Sequence, residues 1–438
     1  MSNENSERDY KDPLRSYNPA TSVILAGYRP RLSEYSVKVP LFRTSTFEFA
    51  SAEDGAKFFE RAYHLPGDDG EEPGLVYSRL NNPNTEIAED KLVASEKGAN
   101  HAAVFPSGMN AIATTVLALV PAGGRILYTS PVYGGTYFLM KQLCPVRFGV
   151  ETFPVDTSDL KTVERILRKH GPFDMIFLET PANPTLGQTD IAEISNLAGK
   201  YGKGKTLTVV DNTFLGPVFQ RPFELGADIV LYSATKFLGG HSDIIAGAVL
   251  SRETAHIDSV REYRTILGGT IASDTAWLLT RSIETLWVRM ERQAQKASKI
   301  AEALKDHPKI EKLLFPGLLS DTDGQAYEVF RKQCHGPGSM ITLLLKNSDR
   351  TGAFRFLDNL QIFHLAVSLG GTESLAEHPR SMTHSDMTEV DLDRCGISDS
   401  MVRLSVGLES SDDLVEDLMA ALKVVCQRLC LRSKFFHD

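Results

Sequence analysis

Residues 228–251 read DIVLYSATKFLGGHSDIIAGAVLS: an apolar run, a polar turn that carries Lys236, and a second apolar run. Each run has the length and the branched apolar content of a buried strand. A lysine between two buried strands most simply sits at the mouth of a sheet, with its ammonium in water. The alternative is an amine nucleophile that holds a carbonyl cofactor as a Schiff base, a role that desolvation and nearby cations suit to lysine. Its neighbourhood decides between the two.

Outward from this stretch, short apolar runs alternate with helical periods. RILYTS (125–130), DMIFLET (174–180) and TLTVVDN (206–212) read as further buried strands, beside DIVLYS (228–233) and AGAVLS (246–251). LKTVERILRKHG reads as an amphipathic helix with Leu160, Val163, Ile166 and Leu167 on one face, closed by Gly171. The alternation predicts an α/β fold, a mostly parallel sheet wrapped by helices. After about residue 275, long charged helices such as TLWVRMERQAQKASKIAEALKDH and shorter runs such as SMITLLLK and MVRLSVGLE predict a smaller C-terminal α+β domain. The expected division is an N-terminal arm (1–65) that packs on a neighbouring subunit, an α/β domain (66–275) that carries the cofactor, and an α+β domain (276–438).

The 438-residue chain is 42% apolar and 24% charged, the balance of an ordinary globular protein. A net charge of −9 and an isoelectric point near 5.7 argue against nucleic acid or an anionic membrane as the main partner, because both call for a basic surface. The longest apolar stretches, such as AIATTVLALV, are about half of what a membrane span needs. The opening MSNENSERDYKDPLRS is polar and lacks the apolar centre of a secretory signal, so a cytoplasmic protein is expected. Cys144, Cys334, Cys395, Cys426 and Cys430 show no C-x-x-C spacing, which points to reduced structural thiols and to no metal site.

Ligands of open parallel sheets bind outside the carboxyl ends of the strands. Asp211 closes the run TLTVVD, and Lys236 follows the next strand by a few residues, so both side chains can enter one crevice. Alone, Asp211 reads as a loop or cap carboxylate. Beside a nucleophilic lysine it reads as the partner of a pyridinium nitrogen. In FPSGMNAIATTVLAL, Ser107, Gly108 and Met109 precede an apolar helix whose first N–H groups can face an anion, and Ser233 and Thr235 flank the lysine with hydroxyls. Phosphate cradle, carboxylate and lysine, in this chain order, point to pyridoxal 5'-phosphate.

The stretches YSRLNNPNTE, FPSGMNAI, SPVYGGTY, ETPANPTL, VVDNTF, YSATKFLGGHSD, VSLGGTESLAEHPRSMTHS and VRLSVGLE follow one another between about residues 20 and 425. In that order they closely resemble the Cys/Met-metabolism family of pyridoxal-phosphate enzymes, the group of cystathionine γ-synthases and methionine γ-lyases, which has the aspartate-aminotransferase fold, fold type I. The resemblance implies that Lys236 is the Schiff-base lysine and Asp211 the partner of the ring nitrogen. It implies that Gly108, Met109, Ser233 and Thr235 bind the phosphate, and that Tyr133 stacks on the ring and exchanges protons. Asn183, Ser368 and Arg403 match the groups that meet the substrate's carboxylate, a task suited to the planar fork of arginine. In the family, Tyr77 and Arg79 reach the phosphate in a neighbouring subunit, so a homo-oligomer with shared sites is implied, typically a dimer of dimers.

Members of the family share this core and differ in reaction. Cystathionine γ-lyases usually carry Glu, Arg and Glu where this chain has Val76, Phe138 and Val367. Apolar groups there would leave the charges of a cystathionine-like tail unpaired, at a cost of a few kcal/mol. Val367 resembles methionine γ-lyases, whereas Gly135 stands where those enzymes commonly have Cys. The reading is γ-elimination from an amino acid with a heteroatom at Cγ, through a vinylglycine-type intermediate. Lys236 takes the Cα proton and moves a Cβ proton, and Tyr133 protonates the leaving group. The alternative is γ-replacement, of the O-acylhomoserine sulfhydrylase or cystathionine γ-synthase type. The acidic run of Asp68, Asp69, Glu71 and Glu72 adds a canavanine-like substrate to the methionine-like one, since carboxylates attract a guanidinium.

Overall fold

A computed structural model describes residues 17–62, 65–67, 74–202 and 204–425. The acidic run at 68–72 and the cysteines at 426 and 430 lie outside the described residues. One sheet contains β1 (His101–Phe105), β2 (Arg125–Thr129), β3 (Glu151–Val155), β4 (Met175–Glu179), β5 (Leu207–Asp211), β6 (Ile229–Tyr232) and β7 (Gly247–Ser251). Their spatial order is β1-β7-β6-β5-β4-β2-β3. Strands β2 to β6 pair in parallel, while β7 runs antiparallel to both of its neighbours, β6 and β1. Five of these strands stand where the apolar runs place them; the outer strands β1 and β3 were not anticipated.

Helices cover both faces of the sheet, so its central strands are buried along their whole length. Side chains alternate between two cores: Leu127, Ile176, Val210 and Val230 enter one, and Ile126, Met175, Val209 and Leu231 enter the other. The helix over Leu160–His170 forms as its spacing predicts. Asp159 caps its start by accepting the Thr162 N–H, and Val163 and Leu167 are buried.

A second sheet is built from β8 (Ile310–Leu314), β9 (Met340–Leu345), β10 (His364–Leu365), β11 (Leu375–Glu377) and β12 (Met401–Ser405), in the order β10-β11-β12-β9-β8. It has a core of its own around Ile341, Leu343, Val402 and Leu404. The helix Leu286–Leu304 serves both halves of the molecule. Leu286, Met290 and Ala294 lie in a core of the first sheet, and Ala297, Ile300, Ala301 and Leu304 in that of the second.

In the described part of the N-terminal segment, Val23 is buried against helix Pro83–Ser95, and Lys91 of that helix donates to the Val23 carbonyl and to Glu284 Oε1. Ile24, Leu25, Leu32, Tyr35 and Val37 remain exposed on this chain. Among the described residues, no helix is long and apolar enough to cross a membrane.

Candidate active site

The carboxyl ends of β4, β5 and β6 lie side by side, with Glu179 paired in register with Asp211, and Asp211 with Leu231. Because β7 returns antiparallel, the connection from β6 needs no crossover helix, and its turn holds Lys236 above this edge. Lys236 Nζ donates to Ser368 Oγ at 2.7 Å. Burial, with Arg403 nearby, pushes the amine down to about 8 against the weaker pull of Glu377. The amine is therefore far easier to deprotonate than a surface lysine.

Arg403 projects from β12 and is buried. Its Nη1 donates to Asn183 Oδ1 at 2.9 Å and lies 2.9 Å from Glu377 Oε1, and its Nη2 donates to the Ser368 carbonyl at 2.9 Å. Ser368 thus faces the lysine with its hydroxyl and the arginine with its carbonyl. Its φ of 96° is a costly conformation for a residue with a side chain, of the kind that concentrates at working sites. Glu377 is held in turn by Thr383, whose hydroxyl donates to Oε1 at 2.8 Å. His384, next in the chain, is buried and pushed down to about 3 by that burial and by Arg403, so it stays neutral.

On the other side, Asp211 Oδ1 accepts from the Thr213 hydroxyl at 2.6 Å and from its N–H at 3.1 Å. The Thr213 hydroxyl accepts the Ser233 N–H at 2.9 Å. Burial pushes Asp211 up to about 6, and no ion pair with a cation is formed among the described residues. Ser107 caps helix Gly108–Leu119: its hydroxyl accepts from Asn110 N at 3.0 Å and its carbonyl from Ala111 N. That leaves the Gly108 and Met109 N–H groups at the open start of the helix. A Cβ on Gly108 would lie 2.8 Å from Ser233 Cβ, so only glycine lets the helix start approach the lysine's turn this closely.

The structure therefore brings Lys236, Asp211, Ser233, Gly108, Met109, Asn183, Ser368 and Arg403 to one edge. Thr235 lies beside the lysine, but its hydroxyl donates to the Ala246 carbonyl at 3.1 Å and accepts the Ala246 N–H at 3.0 Å. Tyr133 follows β2, with its ring 41% exposed; a Cβ on Gly135 would lie 2.8 Å from that ring, so the glycine leaves room for it. Val367 and Phe138 expose apolar surface, at 55% and 47%. Tyr77 and Arg79 make their contacts elsewhere: Tyr77 bridges to Thr46, and Arg79 donates to the Thr265 carbonyl at 3.0 Å. Sequence reasoning missed Glu179, Thr213 and Glu377, which bond to Asn183 and Tyr133, to Asp211 and to Arg403, and the buried His384 near them. For Glu179 the signal was present, since it closes an apolar strand as Asp211 does.

A half-buried lysine without a carboxylate partner and a buried carboxylate without a cation, a strand apart, fit a ligand that supplies an electrophile to one and a cationic ring to the other. The helix start beside Ser233 fits that ligand's phosphate. This class of site, on a sheet of this order, is that of the fold type I pyridoxal-phosphate enzymes.

Comparison with known proteins agrees. The profile of the family described as Cys/Met metabolism PLP-dependent enzyme matches residues 20–423, and the chain belongs to that family. An L-methionine gamma-lyase of Fusobacterium nucleatum subsp. polymorphum is 39% identical over 413 residues, 94% of this chain and 99% of that protein. The cystathionine gamma-lyase of Homo sapiens is 40% identical over 358 residues, 82% of this chain and 85% of that protein. The crystal structure of cystathionine gamma synthase from Xanthomonas oryzae pv. oryzae in complex with cystathionine superposes with a TM-score of 0.83 at 32% identity, covering 93% of this chain and 98% of that one. The chain is thus a pyridoxal-phosphate-dependent enzyme with the fold of its family.

Proposed function

We propose that this enzyme is a carbon–heteroatom γ-lyase acting on a small amino acid with a methionine-like side chain. The observation that carries the reading is the chain Lys236–Ser368–Arg403–Asn183, which sets a readily deprotonated amine beside an arginine suited to a substrate carboxylate. The apolar surfaces of Val367 and Phe138 suit an uncharged tail. Similarity to L-methionine gamma-lyases supports the same choice.

Lys236, Asp211, Ser233, Thr235, Gly108, Met109 and Tyr133 would hold the cofactor, which when bound supplies an electron sink for the carbanion at Cα. Arg403, with Asn183 and Ser368 beside it, binds and orients the substrate's carboxylate. Lys236, with an amine that readily becomes neutral, would take the proton from Cα and move a proton at Cβ. Asp211 would keep the cofactor's ring nitrogen protonated. Tyr133 gives its phenolic proton to the heteroatom as the Cγ bond breaks; burial, with Glu377 near, holds that phenol above its usual range, so the proton is present at neutral pH. Elimination followed by hydrolysis yields a 2-oxo acid, ammonia and a thiol.

The test is product analysis with methionine and homocysteine, with and without added thiol. Release of 2-oxo acid and ammonia is expected without any acceptor. Turnover of O-acylhomoserine only when sulfide or a thiol is supplied would overturn the lyase in favour of γ-replacement, a reading that the likeness to cystathionine gamma synthase supports. A canavanine-like substrate rests on the acidic run at 68–72; canavanine no better than methionine, or an advantage that survives neutralising Asp68, Asp69, Glu71 and Glu72, shows that the run has no part in specificity.

The same reading has the enzyme work as a cytoplasmic homotetramer, with the N-terminal arm against a neighbouring subunit. Exposed Tyr77 and Arg79, engaged away from Lys236 on their own chain, suit a role in a second copy's site. Mixing inactive Arg79→Ala and Lys236→Ala subunits should then restore activity, because some hybrid dimers contain an intact site. No recovery in verified hybrids rejects sharing.

A further inference from the structure

Glu179 closes β4 and is buried, yet it forms no ion pair among the described residues. Its two oxygens serve two different loops. Oε2 accepts the Tyr133 N–H at 3.0 Å, from the loop after β2, and Oε1 accepts the Asn183 N–H at 2.7 Å, from the loop after β4. Those loops carry distinct groups, for Asn183 Oδ1 receives Arg403 Nη1 and Tyr133 is partly exposed. A single carboxylate therefore sets the spacing between the arginine's partner and the tyrosine.

We propose that Glu179 is a positioning residue that ties Tyr133 to Asn183, so that the proton donor for the leaving group and the arginine that holds the substrate keep a fixed separation through turnover. The roles of Tyr133 and Arg403 in this statement rest on the proposed function; the tie between their loops does not.

Side-chain chemistry favours a tie over plain packing. Only an ionised carboxylate offers two acceptor oxygens and no donor. Glutamine at 179 would set an amide NH2 against one of the two backbone N–H groups, and aspartate would be too short to span both. Burial, and Asp211 beside it, push this carboxyl up from its ordinary range, while the two N–H bonds it accepts pull the other way and favour the ionised form. An apolar residue of similar size would fill the same space without that cost, but it would leave two buried N–H groups unpaired.

The experiment uses the holoenzyme. In the wild type, amide exchange at Tyr133 and Asn183 should be as slow as in the buried strand β5. In Glu179→Gln it should speed by about tenfold or more at one or both, while β5 is unchanged. Fast exchange in the wild type, or no change in the variant, overturns the tie, whether or not the enzyme turns out to be a γ-lyase.

A double-mutant cycle reads the function. Glu179→Gln should lower kcat by roughly ten- to a hundredfold, as a small misplacement of a reacting group does, and by less than about threefold in a Tyr133→Phe background. Equal losses in both backgrounds overturn positioning through Tyr133. If Glu179→Gln does not fold, the wild-type exchange decides alone, with fast exchange rejecting the proposal and slow exchange supporting it. Failure of the functional reading shows separately, as wild-type protein that turns over no γ-substituted amino acid.

Discussion

Two groups of buried charges lie on one sheet, and they are treated in opposite ways. At β1, Glu89 takes Arg264 Nη1 on one oxygen and Arg261 Nη2 on the other, both at 2.7 Å, and also accepts the Val104 N–H at 3.0 Å. Burial alone would push that carboxyl up, but the two arginines and the hydrogen bonds outweigh it and hold it below its usual range. At the carboxyl ends of β5 and β6, Asp211 and Lys236 have no such partners; burial pushes the acid up and the amine down, each towards its neutral form. A completed cluster holds the chain together. An incomplete one is finished by something the chain does not encode, which is the physical mark of the working edge.

The contrast breaks most sharply at the lysine. Lys236→Ala should abolish the visible absorbance of the lysine-linked cofactor and cut turnover by on the order of 10⁴-fold, the upper range of general acid–base catalysis. A variant with normal turnover would falsify the assignment. Glu89→Ala, at the completed cluster, should cost about 3–5 kcal/mol of stability by leaving the buried Arg264 without its carboxylate, while the folded fraction still turns over. Calorimetry and activity per bound cofactor separate these; a stable Glu89→Ala protein would erase the distinction.

Asp211→Asn tests the same idea from the other side. Cofactor-bound activity should fall by roughly ten- to a hundredfold, the value of one charge-assisted hydrogen bond. The melting point of the cofactor-free protein should not fall, because the substitution removes a buried charge that had no cation beside it and keeps an oxygen to accept from Thr213. A drop of more than roughly 3 °C would show that Asp211 is structural.

The smallest effect concerns pH. Burial and the positive charge of Arg403 both disfavour the Lys236 ammonium, so capture of pyridoxal phosphate by cofactor-free protein should rise with pH around 8 rather than near the ordinary 10.5. Arg403→Leu removes the second of these causes and leaves Glu377, which favours the ammonium. The midpoint should move upward, and capture at a given pH should slow. A midpoint that stays in place would confine the shift to burial.

Much of this was legible in the chain because it is local. β4 to β7 are continuous apolar runs, as a sheet covered on both faces requires, and Asp211 and Lys236 sit at fixed offsets from such runs. β1 was hidden by HAAVF, whose alanines have little strand preference, and β3 by the proline in ETFPV, tolerated because that strand is at the edge. Glu179 and Glu377 act through partners brought close only by folding: Glu377 meets Arg403 across two paired strands, and Glu179 reaches back to Tyr133. No pattern of one residue type along the chain announces such contacts.

The helix Leu286–Leu304 settles how the two lobes come apart. Its first half is packed into one core and its second half into the other, without a break in its backbone ladder. Neither lobe can lose its core without stripping half of a helix that the other still needs. The length of the chain suggests parts that melt one after another, but this shared rod makes the loss of structure a joint event, and damage in either lobe is felt by the whole.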